Sequence, residues 1–153
     1  MKNKYWLMKC EPSEFSIDDL ERAGEYFWDG VRNYQVRNMF RDQMRVGDKA
    51  IFYHSSTKDV GAVGEMEIIK QATPDPTQFD SKSKYFDAKS TTANPRWLGP
   101  TVSFVKKFNH LVSLEEIKND STFSDLALIK RGNRLSVIEL SKKQYERLIK
   151  LGK

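Results

Sequence analysis

Trp28-Asp29-Gly30-Val31-Arg32-Asn33-Tyr34-Gln35-Val36-Arg37-Asn38 reads as a turn that runs into a helix. A tryptophan followed by Asp-Gly does not continue a helix, because glycine loses too much backbone freedom there and aspartate competes for the main chain. From Asn33 to Met44 the pattern changes: Val36, Met39, Phe40 and Met44 fall at i, i+3, i+4 and i+8, one face at 3.6 residues per turn. Arg37, Arg41 and Arg45 recur every four residues on a different face, and Arg32 stands just ahead of the helix start. Gly47-Asp48 then turns the chain.

Upstream, Tyr5 to Lys9 is short, aromatic and apolar, a buried strand stopped by Glu11-Pro12-Ser13 because proline donates no ladder hydrogen bond. Ser16 caps a short helix from Ile17 to Ala23, with Asp18, Asp19 and Glu21 toward its positive end and Gly24 closing it. Downstream, Lys49 to His54 is a second strand. Val60 to Ile69 alternates with its even-numbered face buried, and Gly61 and Gly64 mark a bulge or the close approach of a backbone or ligand. Thr73 to Pro100 holds four of the five prolines. A loop of that length is functional or disordered, and Phe79, Tyr85, Phe86 and Trp97 within it indicate that much of it packs down. Val102 to Phe108 alternates as a strand. Ser113-Leu-Glu-Glu116 and Ser141-Lys-Lys-Gln144 match capping boxes, the second opening a terminal helix that buries Tyr145, Leu148, Ile149 and Leu151. Leu126 to Ile129 and Leu135 to Leu140 read as a hairpin turning at Arg131-Gly132-Asn133. Short strands and modest helices without regular alternation predict one α+β domain over residues 1–153. Its expected form is a mixed five- or six-stranded β-barrel with short flanking helices.

Composition bounds the function. At 39% apolar residues with 8 Gly and 5 Pro in 153, the chain is neither collagen-like nor low-complexity. No apolar run approaches the ~20 residues of a membrane span, and Met1-Lys2-Asn3-Lys4 opens onto too short an apolar run for a signal segment. One cysteine excludes an internal disulfide and suits a reducing compartment, a bacterial cytoplasm or a eukaryotic nucleus. An excess of 26 basic over 21 acidic residues suits a polyanion. There is no P-loop, GxGxxG, nucleophile elbow or HExxH, and one cysteine with two histidines makes no zinc quartet. A Cys10–His54 nucleophilic pair lacks a third orienting group; the plainer reading is a semi-buried thiol and a hydrogen-bonded histidine. No catalytic residue, metal or cofactor is expected.

What remains is aromatic and basic. Trp28 with Arg32, Asn33 and Tyr34, then Asn94-Pro-Arg96-Trp97, then Phe52-Tyr53-His54-Ser55-Ser56 place rings and hydrogen-bonding side chains near turns and strand ends. Each has a structural alternative: Trp28 as core, Trp97 as loop anchor, the third as a satisfied strand end. Together they suggest a cage, with two indoles facing across a gap one flat ring wide and polar side chains reading the ring's edge. Stacking one base is worth about 1–3 kcal/mol. On this expectation alanine at Trp28 or Trp97 weakens binding and leaves the fold intact. The Arg37/Arg41/Arg45 face would hold flanking phosphates, its alternative being an ordinary solvated helix face. An enzyme acting on nucleotides or modified RNA, and an adaptor for a peptide or small ligand, are the competing functions.

Six motifs, in order along the whole chain, carry a family resemblance: Trp6-Leu-Met-Lys-Cys-Glu-Pro12, Trp28 to Asn38, Phe52-Tyr-His-Ser55, Gly61 with Val63-Gly64, Asn94-Pro-Arg-Trp97 and Arg134-Leu-Ser-Val137. They resemble the EVE domain, a PUA-like family akin to the YTH readers of methylated RNA. The resemblance implies a PUA-like barrel that reads a modified base in DNA or RNA, with no membrane and a monomer favoured. It implies Trp28 and Trp97 as cage walls, and Lys9, Cys10, Glu11, Asn33, Tyr34, Tyr53, His54 and Ser55 lining the pocket. Arg32, Arg37, Arg41, Arg45 and Arg96 would serve the phosphate backbone. Cys10 departs from the family's Lys-Ser-Glu-Pro form, and a thiol is a weaker donor than a hydroxyl.

Overall fold

The structure, a computed structural model, describes residues 2–153; Met1 lies outside it. The elements in chain order are β1 (Tyr5–Cys10), α1 (Ile17–Ala23), β2 (Glu25–Phe27), α2 (Tyr34–Asp42), β3 (Lys49–His54), β4 (Gly61–Pro74), β5 (Leu98–Ser113), α3 (Leu114–Lys118), β6 (Val137–Leu140) and α4 (Lys142–Leu151). The six strands form one mixed sheet in the order β2-β5-β4-β3-β1-β6. β1 and β3 run parallel, and every other pair is antiparallel. The mixed α+β composition and six strands match the expectation. Among the described residues the edges β2 and β6 do not pair with each other, so the hydrogen-bonded pattern is an open sheet. Among the described residues no helix is long and apolar enough to cross a membrane.

The central strands are apolar at consecutive positions because both faces of the sheet are covered. Trp6, Met8, Ala50, Phe52, Met66 and Ile68 face a core with Ile17 and Leu20 of α1 and Val36 and Phe40 of α2. Leu7, Ile51 and Tyr53, in between, face a second core with Ile117 of α3 and Tyr145 and Leu148 of α4. The result is three layers, with α1 and α2 on one side and α3 and α4 on the other. Asp48 ties the start of the sheet down. It is wholly buried, and its carboxylate accepts four donors: Asn3 Nδ2, the Lys4 amide, Trp6 Nε1 and the Arg45 amide. Those charge-assisted bonds offset its desolvation without any cation.

Gly61 and Gly64 do flank a shift of register between β4 and β5. A Cβ on Gly64 would stand 2.7 Å from the Lys106 carbonyl oxygen, so the neighbouring backbone, not a ligand, demands glycine there. Other expectations need correction. Leu126 to Ile129 is not a strand: Ala127–Ile129 form a 3-10 turn whose anchor, Leu126, is buried in the second core. Val137–Leu140 pairs with β1 instead, so the hairpin does not exist. A four-residue apolar run has no period that separates a strand from a turn pinned by one side chain. Ser113 caps α3 through the Glu116 amide, but the Glu116 carboxylate turns to His110, leaving half of a capping box. The box at Ser141 is complete.

Candidate functional site

Because β1 and β3 are parallel, both end at the same place, with Cys10 beside His54. The loops that leave them converge there: the Ser55 amide donates to the Cys10 carbonyl at 3.1 Å, and the Lys9 amide to the Ser136 carbonyl at 2.8 Å. Together with the loop entering α2 they enclose a cavity of about 390 Å³, the size of a small-ligand site. Its lining includes Lys9, Cys10, Glu11, Tyr26, Trp28, Asp29, Arg32, Asn33 and Ser55, together with Glu14, Tyr85 and residues 134–136.

Buried polar residues of the long loop between β4 and β5 shape one wall. Asp75 is wholly buried; its Oδ1 accepts the Thr77 amide and hydroxyl, and its Oδ2 accepts the Gly30 amide at 2.8 Å and Arg32 Nη1 at 3.1 Å. Arg32 also donates twice to the Tyr85 carbonyl. The Tyr85 ring then lies on Gly30, whose φ of +80° favours glycine and where a Cβ would meet the ring at 2.6 Å. Gln78, also buried, donates to the Asp75 and Trp97 carbonyls and accepts the Arg96 and Trp97 amides. All four hydrogen bonds of one amide are used, which is how a 3-10 turn (Pro76–Phe79) and irregular chain pack down as the aromatic residues implied. At the rim, Glu14 pairs with Lys84 and accepts the Tyr85 hydroxyl at 3.3 Å.

The rings of the cavity form a series. Phe15 stacks on Tyr26, Tyr26 meets Trp28 edge-on at 5.9 Å between centres, and Trp28 meets Phe52 edge-on at 5.5 Å. The charges balance: Lys9, Arg32 and Arg134 against Glu11, Glu14 and Asp29, with Arg32 already engaged by Asp75. Burial lowers the Lys9 pKa and, helped by the Asp29 and Glu11 charges, pushes the Cys10 thiol up to about 11. Cys10 is therefore a neutral thiol near pH 7, not a nucleophile. Burial also raises the Asp29 carboxyl above the ordinary carboxylate range, while the Tyr26 hydroxyl, 2.8 Å from Oδ1, pulls the other way. Such a lining suits a flat, uncharged, polar ligand better than a phosphate.

Of the residues expected here, Lys9, Cys10, Glu11, Trp28, Arg32, Asn33 and Ser55 line the cavity, and the rest do not. Trp97 does not line it: it is 6% exposed, donates Nε1 to Asp87, and stacks on Tyr34 at 4.7 Å. The facing pair of indoles is thus not formed at this cavity. Tyr34, half exposed, carries Arg37 over its ring at 4.7 Å, and the Arg37 guanidinium reaches the Arg96 carbonyl. Tyr53 belongs to the second core, on the opposite face of the sheet from Phe52, because successive strand residues alternate. His54 Nε2 accepts the first amide of α1, Ile17, at 3.2 Å, and burial lowers its pKa; it is the satisfied strand end. Asn33 caps α2 by accepting the Val36 amide, which commits its side-chain oxygen. Arg41 is neutralised by Asp42, and the Arg45 guanidinium bonds the Met44 and Asp42 carbonyls. Sequence reasoning missed Tyr26, Asp29, Glu14 and Tyr85. The signals for two of them are Asp29's place inside the Trp28–Asn38 block and the Tyr85 ring in an otherwise polar loop.

A sequence model described as the EVE domain matches residues 4–151. Thymocyte nuclear protein 1 of Gallus gallus is 37% identical over 166 residues, covering 96% of this chain and 68% of that protein. The crystal structure of a Pseudomonas syringae protein superposes with a TM-score of 0.94 at 45% identity, covering 97% and 99% of the two chains. Human THYN1, solved in complex with DNA containing 5-methylcytosine, superposes with a TM-score of 0.91 at 35% identity, covering 99% and 98%. The Mmi1 YTH domain, 14% identical with a TM-score of 0.53, shares the fold alone.

Proposed function

The chain belongs to the EVE domain family, and from that premise we propose that it is a non-catalytic reader that takes a modified base of a nucleic acid into the cavity at the ends of β1 and β3. The observation that carries this reading is the cavity itself: about 390 Å³, ringed by Tyr26, Trp28 and Tyr85, with balanced charge and no activated nucleophile. The human relative solved with 5-methylcytosine DNA supports methylated DNA as the first polymer to test. A base inside a duplex cannot reach such a site, so the nucleotide is extruded, and unstacking and unpairing it costs a few kcal/mol. A phosphate backbone left outside meets Arg37 and Arg96 near Tyr34, with Arg41 in the last turn of α2 and Arg45 in the turn that follows it.

Titration with duplexes that differ in one methyl group tests the proposal. A single methyl in an apolar pocket is worth ~1–3 kcal/mol, so the methylated duplex should bind roughly 10–200-fold tighter than its unmodified twin. Binding should also weaken steeply as salt rises from about 50 to about 200 mM, as phosphate contacts require. Equal affinity for modified and unmodified DNA and RNA would remove the reader, and salt-independent binding would favour the adaptor.

A further inference from the structure

We infer that Asp29 reads the exocyclic amine of the base, so that the cavity accepts an amino-bearing base such as 5-methylcytosine and rejects its keto counterpart, thymine. The inference rests on the base-reading function above. Asp29 lines the cavity, and its Oδ1 is already occupied by the Tyr26 hydroxyl at 2.8 Å. Among the described residues no other residue donates to Oδ2. No side-chain oxygen among the described residues is both buried and unpartnered, so Oδ2 is open to whatever enters. Tyr26 fixes the carboxylate's orientation: its ring is clamped by Phe15, 3.7 Å away and nearly parallel, and by the edge of Trp28.

A carboxylate oxygen held in that way is an acceptor aimed at a donor. Cytosine presents an N4 amine on its pairing edge and adenine an N6 amine, whereas thymine and uracil present a carbonyl at the corresponding position. An amine against Oδ2 makes a hydrogen bond; a carbonyl there sets two acceptors against each other. Two of the other charged groups lining the cavity are already engaged. Arg32 is committed to Asp75 and the Tyr85 carbonyl, and Glu14 to Lys84 and Tyr85. One carboxylate thereby separates 5-methylcytosine from thymine, which carry the same methyl.

Two otherwise identical single-stranded oligonucleotides, one with 5-methylcytosine and one with thymine at the central position, test the assignment without a pairing cost that differs between them. The wild-type protein should bind the methylcytosine strand at least about tenfold tighter, the lower range of a good base-edge contact. Asp29→Asn keeps an oxygen for Tyr26 and can present an amide nitrogen to a carbonyl, so its preference should fall to within about threefold, chiefly through tighter thymine binding. Thermal melting confirms that the variant is folded. A wild-type protein indifferent to the two strands, or an Asn variant that keeps the full preference, overturns the role of Asp29 and leaves the reader standing. Failure of both strands and of the methylated duplex to bind overturns the reader as well.

Discussion

Asp75→Ala is expected to lower the folding free energy by about 3 kcal/mol and to abolish binding of methylated DNA even below the unfolding midpoint. The alanine removes the acceptor for four donors at once: the Thr77 amide and hydroxyl, the Gly30 amide and Arg32 Nη1. Two of these belong to the long loop and two to the segment entering α2, so the substitution unhooks the two walls of the cavity from each other. Arg32 keeps its bonds to the Tyr85 carbonyl and is partly solvated, which limits the loss. Asp75→Asn retains the shape but trades acceptors for donors facing donors, and it should fall between wild type and alanine. Chemical denaturation with a parallel binding titration measures both quantities. Wild-type stability in the alanine variant would mean that the loop holds its place without this carboxylate.

The second large effect is at Trp28. Alanine there should cost about 3–5 kcal/mol, as for other buried large aromatics, and for a domain of this size that approaches the whole margin of stability. The ring is 3% exposed and packs against Phe52 and Tyr26 within the first core while also lining the cavity. This corrects the expectation that alanine leaves the fold intact, since the residue is core and wall together. Trp28→Phe separates the roles: it keeps most of the packing, so the protein should fold, yet offers a smaller surface to a base and should bind methylated DNA roughly 3–10-fold more weakly. Unchanged affinity in the folded Phe variant would make Trp28 core alone.

The same tryptophan shows why part of the site was legible in the sequence. A large ring beside Asp-Gly, directly before a capped helix, marks a place where the chain turns with bulk on it, and local propensities suffice to see that. Trp97 carried the same local signal, an aromatic after a proline and an arginine, yet it stacks on Tyr34 and bonds Asp87. Which way it faces is settled by Gln78 and Asp75, some twenty residues earlier, whose long-range hydrogen bonds have no periodicity to betray them. Tyr53 and His54 failed for a different reason. Alternation assigns Tyr53 to one face and Phe52 to the other, but only the presence of helices on both sides makes each face buried. The helix starts at Ser16, Asn33 and Ser141 were readable because a cap is a contact across three residues.

A crystal structure of this protein bound to a duplex with one central 5-methylcytosine tests the central claim most directly. That base should lie out of the duplex and inside the cavity beyond Cys10 and His54, its ring against Trp28 and its N4 amine on the Asp29 carboxylate. A methylated base still stacked in the helix, with the cavity unchanged beside it, would contradict it.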